Sequence, residues 1–230
     1  MAKRVLITGA NRGIGLELAK HYKALGWNVV AGVRNPSSAT ELRSLGPEGI
    51  VALDVTDEAS VAAAATAIGA DAPIDMLINN AGIIVKSSLT KTTKADFLRQ
   101  LEVNTVGPFL VTKAFMPNLK LAAKQNDFAV AAFLSAKIAS IQLNTQGGYH
   151  AYRASKTALN GIAKTLAVDM EPRGISTVLL HPGYVKTDFT GHKGDLSAEE
   201  SARALAAILG KVRKGDKASF YDIDGSNLPW

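Results

Sequence analysis

The sequence predicts an α/β protein in which about seven parallel strands form one doubly wound sheet with helices on both faces. Three observations carry that expectation. Short apolar runs of four to seven residues alternate along the chain with longer stretches whose apolar residues recur at helical spacing. Strands joined through helices in this way run parallel, with right-handed crossovers. The first apolar run ends in three closely spaced glycines and opens directly into a helical pattern. Finally, 230 residues with 47% hydrophobic content and no low-complexity run fit a single domain over 1–230, with no linker.

Residues 4–8 form the first strand and lead into Gly9-Ala10-Asn11-Arg12-Gly13-Ile14-Gly15. Glycines here permit a tight turn, close backbone approach to a pyrophosphate and close helix packing, while free amides at the helix start attract phosphate. Strand, glycine turn and helix make the predicted fold Rossmann-like, with Gly9, Asn11, Arg12, Gly13, Ile14 and Gly15 as candidate cofactor contacts. Residues 27–33 form the second strand. An acidic residue at its end would bind the ribose 2′-hydroxyl of NAD, and none is present. Arg34 stands there instead, and with Arg12 it offers two guanidinium groups for a 2′-phosphate, which predicts NADPH/NADP+ over NADH.

The third strand, 49–53, ends at Asp54-Val55-Thr56-Asp57, and Asp57 caps a helix over 58–68. The fourth, 74–78, runs into Asn79-Asn80-Ala81-Gly82. A long helical segment over 94–124 follows, with Gly107-Pro108 expected to bend it. Asn104 lies inside it among apolar neighbours, so its side chain needs either backbone partners or a water. Residues 128–134 form the fifth strand, after which Ser135 opens a loop. The next helix carries Tyr152 and Lys156 and ends at Glu171-Pro172-Arg173-Gly174. The sixth strand, 175–180, stops at His181-Pro182-Gly183. Ser197 caps the last helix, with Glu199 and Glu200 in its first turn, and a final strand spans about 218–221.

Chemistry centres on Tyr152-x-x-x-Lys156, which on a helix puts a phenol and an amine on one face, one turn apart. An ammonium beside a phenol stabilises the phenolate and lowers its pKa toward neutrality, giving the proton donor and acceptor that carbonyl reduction requires. The absence of Cys excludes disulfides, a thiol nucleophile and Cys-ligated zinc, and fits a reducing compartment. The four His are scattered without metal-ligand spacing, so no metal is expected. The net charge of +6 is dispersed, so no nucleic-acid partner is expected. The N-terminus runs into a strand rather than a signal-peptide core, and no apolar run approaches the roughly 18 residues of a membrane span. A cytoplasmic protein without a membrane partner is the expectation.

Five signals in order resemble the short-chain dehydrogenase/reductase family: Thr8-Gly9-x-x-x-Gly13-x-Gly15, Asn79-Asn80-Ala81-Gly82, Asn104, Tyr152-x-x-x-Lys156 and Pro182-Gly183. The run over 147–156 and the closing Asp-Gly-x-x-Leu-Pro-Trp look like its Sniffer and C-factor branch, linked to carbonyl reduction. The resemblance implies that Tyr152 is the acid/base, that Lys156 lowers its pKa and binds the nicotinamide ribose, and that Asn104 holds a proton-relaying water. It further implies that Asp54 and Val55 lie by the adenine, that Asn80, Ala81 and Gly82 pass its ribose, and that Val185 and Thr187 approach the nicotinamide amide after Pro182 and Gly183. The segment 188–196 would form a substrate lid.

One departure stands out. The branch usually ends its fifth strand Ser-Ser-x-x-Gly-Ser-Ile, and the second Ser, which helps hold the substrate carbonyl, falls on Ala136. Ser135 is the neighbouring candidate, although consecutive side chains on an extended segment point in opposite directions. The reading is an NADPH-dependent reductase of a small-molecule ketone, aldehyde or quinone; the alternative is an NADP-binding or sensing protein that turns over poorly. Family members commonly pair through the helices corresponding to 94–124 and 151–171. Phe97, Leu101, Phe115, Leu119, Leu159, Ala163 and Leu166, with Ala158 and Gly161 allowing close approach, suggest a homodimer built that way.

Overall fold

The apolar runs become β1 (Arg4–Thr8), β2 (Asn28–Val33), β3 (Gly49–Ala52), β4 (Met76–Asn79), β5 (Ala129–Leu134), β6 (Ile175–Leu180) and β7 (Lys217–Tyr221) in the computed structural model, which describes residues 2–230. All six strand pairings are parallel, in the order β3-β2-β1-β4-β5-β6-β7. The order reverses between β1 and β4, and ligands of open α/β sheets bind at the carboxyl ends of the strands beside such a switch.

Strand alternation explains the two cores. Along β5, Ala129, Ala131 and Phe133 join one apolar cluster while Val130, Ala132 and Leu134 join the other. One face is covered by α1 (Gly13–Ala24), the short α2 (Thr40–Ser44) and α8 (Ala198–Leu209), through Leu18, Tyr22, Leu42 and Leu205. On the other lie α3 (Glu58–Ile68), α5 (Gly107–Ala114), α6 (Met116–Asn126) and α7 (His150–Met170), through Val61, Val111, Leu119 and Leu159. The five-residue α2 is too short to show a period and was not expected.

The segment 94–124 is not one bent helix. It comprises α4 (Lys94–Leu101), a widened π-helical turn over Glu102–Val106, then α5 and α6. The helical run breaks at Phe115, because Pro117 has no amide to continue it. Pro108 sits in the first turn of α5, where a missing N–H costs nothing. Gly107 serves contact rather than bending, since a β-carbon there would lie 2.8 Å from Val55 Cγ2.

The residues that suggested a dimer face mostly inward. Phe115, Leu119, Leu159 and Ala163 are fully buried and Leu166 nearly so, in the chain's own core. Helices packed on a sheet and on each other bury more than one stripe, so apolar width alone did not reveal a second interface. Different side chains of the same helices are exposed: Leu98, Val106, Phe109 and Val168.

Beyond β7 the chain folds back along the sheet edge. Tyr221 pairs antiparallel with Asn227, and the Leu228 amide donates to the Phe220 carbonyl at 2.7 Å. The Trp230 ring stacks on Phe220 at 6.0 Å, and its carbonyl accepts from the Gln142 amide and the Ser140 hydroxyl in the loop after β5.

Candidate active site

The glycine turn is held from behind by β4. The Asn80 side-chain amide donates to the carbonyls of Thr8 (2.8 Å) and Gly9 (3.2 Å), while the Thr8 hydroxyl accepts the backbone amides of Asn80 and Ala81, each at 3.0 Å. Packing is so close that a β-carbon on Gly15 would lie 2.4 Å from the Gly9 oxygen and 2.5 Å from Asn80 Nδ2. Gly9 and Gly13 have φ of +67° and +55°, a region open to glycine. At the start of α1, Arg12 is extended and makes no side-chain cap, and no acidic residue lies in the first turn. The first amides of the helix are thus left to an anion, and the cradle fits a dinucleotide pyrophosphate. Thr187 closes the other side, its Cγ2 3.3 Å from where a Gly13 β-carbon would stand. That contact brings the segment after Pro182, Gly183 and the buried Val185 against the glycine turn.

Just beyond β3, Asp54 accepts from the Thr56 amide (3.0 Å) and hydroxyl (2.8 Å). Those bonds, the amide foremost, hold its carboxyl below the usual range, with help from the nearby charge of Arg34. Arg12 instead donates to Asp188 at 2.9 Å, with both side chains exposed. The two arginines are therefore engaged differently, Arg12 in an ion pair with Asp188 and Arg34 only near the charge of Asp54. Val55 is buried against Gly107.

Tyr152 and Lys156 lie one turn apart on α7, as their spacing requires, but their protonation differs from the simple expectation. Burial alone raises the Tyr152 phenol, and burial lowers the Lys156 amine to about 7. Lys156 Nζ donates to the Leu134 carbonyl at 2.8 Å, and no hydrogen bond joins it to Tyr152 among the described residues. In the protein without ligand, desolvation outweighs the attraction of amine for phenolate. The Phe189 ring meets Tyr152 edge-on, with centroids 5.8 Å apart.

Asn104 occupies the widened turn and spends its side chain on protein. Its Oδ1 accepts the Ile83 amide (2.8 Å), and its Nδ2 donates to the Ile83 carbonyl (2.9 Å) and Ser155 Oγ (3.0 Å). Backbone, one of the two kinds of partner expected for it, is present. Ser155 in turn donates to the Tyr152 carbonyl at 2.8 Å, so Asn104 ties the segment after β4 to the turn of α7 that bears Tyr152. A β-carbon on Gly82 would lie 3.1 Å from Asn104 Oδ1 and 3.6 Å from Lys156 Nζ, so glycine leaves a cleft beside these side chains that a larger residue would narrow.

Ser135 does not face this cleft. Its hydroxyl donates to Asn160 Oδ1 at 2.6 Å in the interior. Asn160 lies eight residues beyond Tyr152, about 12 Å along α7. Ala136, next on the extended chain, presents only a methyl group to the opposite side.

The family model for short chain dehydrogenases matches residues 3–197. The chain belongs to the short-chain dehydrogenase family. It is thus an NAD(P)-dependent oxidoreductase of that family. C-signal of Myxococcus xanthus is 36% identical over 159 residues, 69% of this chain and 93% of that protein. The NADPH-bound carbonyl reductase from chicken fatty liver superposes with a TM-score of 0.93 at 36% identity, over 100% of this chain and 99% of that one. The carbonyl reductase Sniffer of D. melanogaster does so with a TM-score of 0.93 at 34% identity, over 100% of both chains. The Sniffer and C-factor likeness drawn from the closing motifs holds along the chain. Within this short-chain dehydrogenase, Thr8 was read only as the opening of the glycine motif and Ser155 and Asn160 were given no role, because the partners that reveal what they do lie 25 to 73 residues away. Their only signal was a polar residue at the end of a strand or on a helix face otherwise buried.

Proposed function

We propose that the protein reduces a carbonyl compound, a ketone, aldehyde or quinone, with NADPH, and that Tyr152 is its acid/base. The observation that carries this reading is the meeting of Asn104 and Lys156 beside Gly82, one helical turn from Tyr152 and next to the pyrophosphate cradle. NADPH held in the cradle would supply the hydride for the carbonyl carbon. The chain's own part is to donate the Tyr152 Oη proton to the carbonyl oxygen and to keep the cleft dry. Lys156 holds the nicotinamide ribose and, when charged, supports the phenolate that remains. Asn104 and Ser155 fix the turn that bears Tyr152. Arg12 and Arg34 select the 2′-phosphate, Arg12 exchanging Asp188 for it; the NADPH bound by the similar chicken enzyme supports that preference. The whole chain acts as one domain, and the exposed Leu98, Val106 and Phe109 are what supports a homodimer.

A panel of ketones, aldehydes and quinones with NADPH tests the function, with Tyr152→Phe as the control. At least one compound should be reduced by the parent and none by the variant. Ala136 favours a second reading, an NADP-binding or sensing protein, for which NADPH binds at micromolar affinity and no compound is reduced.

A further inference from the structure

The start of α7 breaks the ordinary rules for beginning a helix. Gly147, Gly148 and Tyr149 are left-handed in succession, with φ of +65°, +72° and +50°. Tyr149, at the cap position, offers no side-chain hydrogen bond, and no acid lies in the first turn. Instead the first turn carries a cation, Arg153, where the helix dipole opposes one. Local rules broken together at one point mark a place where something else is being held.

Arg153 is what holds it. Its Nε donates to the carbonyls of Gly147 (3.2 Å) and Gly148 (3.1 Å), and its Nη1 donates to the Ile138 carbonyl at 2.8 Å. One guanidinium thus joins the two ends of the loop over 139–146. One turn on, Thr157 donates to the Ala139 carbonyl at 2.7 Å on the same side of the helix. We propose that Arg153 is a positioning residue for the reduction: by clasping residue 138 to residues 147 and 148 it sets where α7 begins, and so where Tyr152 stands against the wall that starts at Ala136. With no serine at 136 to help orient the carbonyl, the placement of Tyr152 rests more heavily on this clasp. A planar fork with several fixed donors suits two carbonyl sets at once, which a lysine cannot reproduce. The proposal rests on the reductase reading for its catalytic consequence but not for the clasp itself.

The test uses full-length Arg153→Met, Arg153→Lys and Arg153→Ala. In Arg153→Met, amide hydrogen exchange over residues 139–149 should quicken at least about tenfold while the rest of the chain is unchanged. For a carbonyl that the parent reduces, kcat should fall about 10- to 100-fold, the usual cost of a small misplacement, with KM for NADPH within about twofold. Arg153→Lys should fall in between, and millimolar guanidinium should restore part of the rate to Arg153→Ala. Unchanged exchange over 139–149, or losses in kcat matched by equal losses in NADPH affinity and in Tm, overturns the proposal. Should the parent reduce nothing, the reductase reading has failed, and exchange together with NADPH affinity still decides whether the clasp exists.

Discussion

Replacing Ala136 with serine puts a hydroxyl at the position where the family resemblance implies one and this chain has a methyl group. The backbone there is extended, with φ −153° and ψ 143°, so serine enters without strain. Removing a preorganised donor from a developing oxyanion typically costs about 100- to 1,000-fold in rate, or about 2.7–4 kcal/mol. A donor returned to a cleft that has lived without it should recover part of that, about tenfold in kcat/KM. Stability should fall, because the position is only 7% exposed and the hydroxyl has no protein partner, at a cost of about 1–3 kcal/mol. In a chain of this size that is about 2–4 °C in Tm per kcal/mol. Ser135→Ala is the counterpart: it strands the buried Asn160 Oδ1, should cost about 1–3 kcal/mol of stability, and should leave kcat within about twofold. Initial rates of NADPH consumption and thermal melting measure both. An Ala136→Ser protein that binds NADPH but gains no activity refutes the reasoning, as does a Ser135→Ala protein that loses rate about a hundredfold.

Arg12→Ala or Arg34→Ala should weaken NADPH by about 1–3 kcal/mol and leave NADH nearly unchanged, read by titration calorimetry with both cofactors; equal losses would remove the 2′-phosphate assignment. The depressed Lys156 amine makes stability depend on pH with a definite sign. Its native value near 7 lies below the unfolded 10.5, so between those values the unfolded chain holds the extra proton and this group favours the native state increasingly as pH rises. Urea unfolding of the ligand-free protein from pH 7 to 9 should show a rise of up to about 1.4 kcal/mol per unit from this residue, absent in Lys156→Met. Parallel pH profiles would count against the buried amine. A homodimer predicts about twice the 24.2 kDa chain mass by light scattering at micromolar concentration, and a Leu98→Glu, Phe109→Glu double variant should shift it to the monomer mass.

Elements with strong local signals were legible. The strands emerged within two residues of their expected ends, and helix Glu58–Ile68 and the Ser197 capping box were readable from a single turn of sequence. The candidate site was legible as positions, because its motifs are short and ordered. Its energetics were not. The Tyr152 phenol and Lys156 amine move in response to burial supplied by residues far along the chain, which no i, i+4 pattern carries. Asn104 was noticed as a polar residue in apolar surroundings, yet its partner Ile83 is 21 residues away, and the π-helical turn that aims it has no sequence mark. Pro117, by contrast, was a visible helix stop, and the break beside it was open to prediction. Inward and outward apolar faces of the helices on the Leu159 side could not be told apart without the sheet on which they lie.

The return of the chain along β7 makes the molecule its own optical probe. There are two tryptophans. Trp27 precedes β2 at the amino ends of the strands, whereas Trp230 is fastened by its carbonyl to Ser140 and Gln142, in the loop that Arg153 closes. With Trp27→Phe, the emission of the remaining indole reports on the corner where that loop, the end of the chain and Phe220 of β7 meet. Its quenching, anisotropy and energy transfer to a reduced nicotinamide would register any displacement of that corner when a cofactor is added, in solution and without a label.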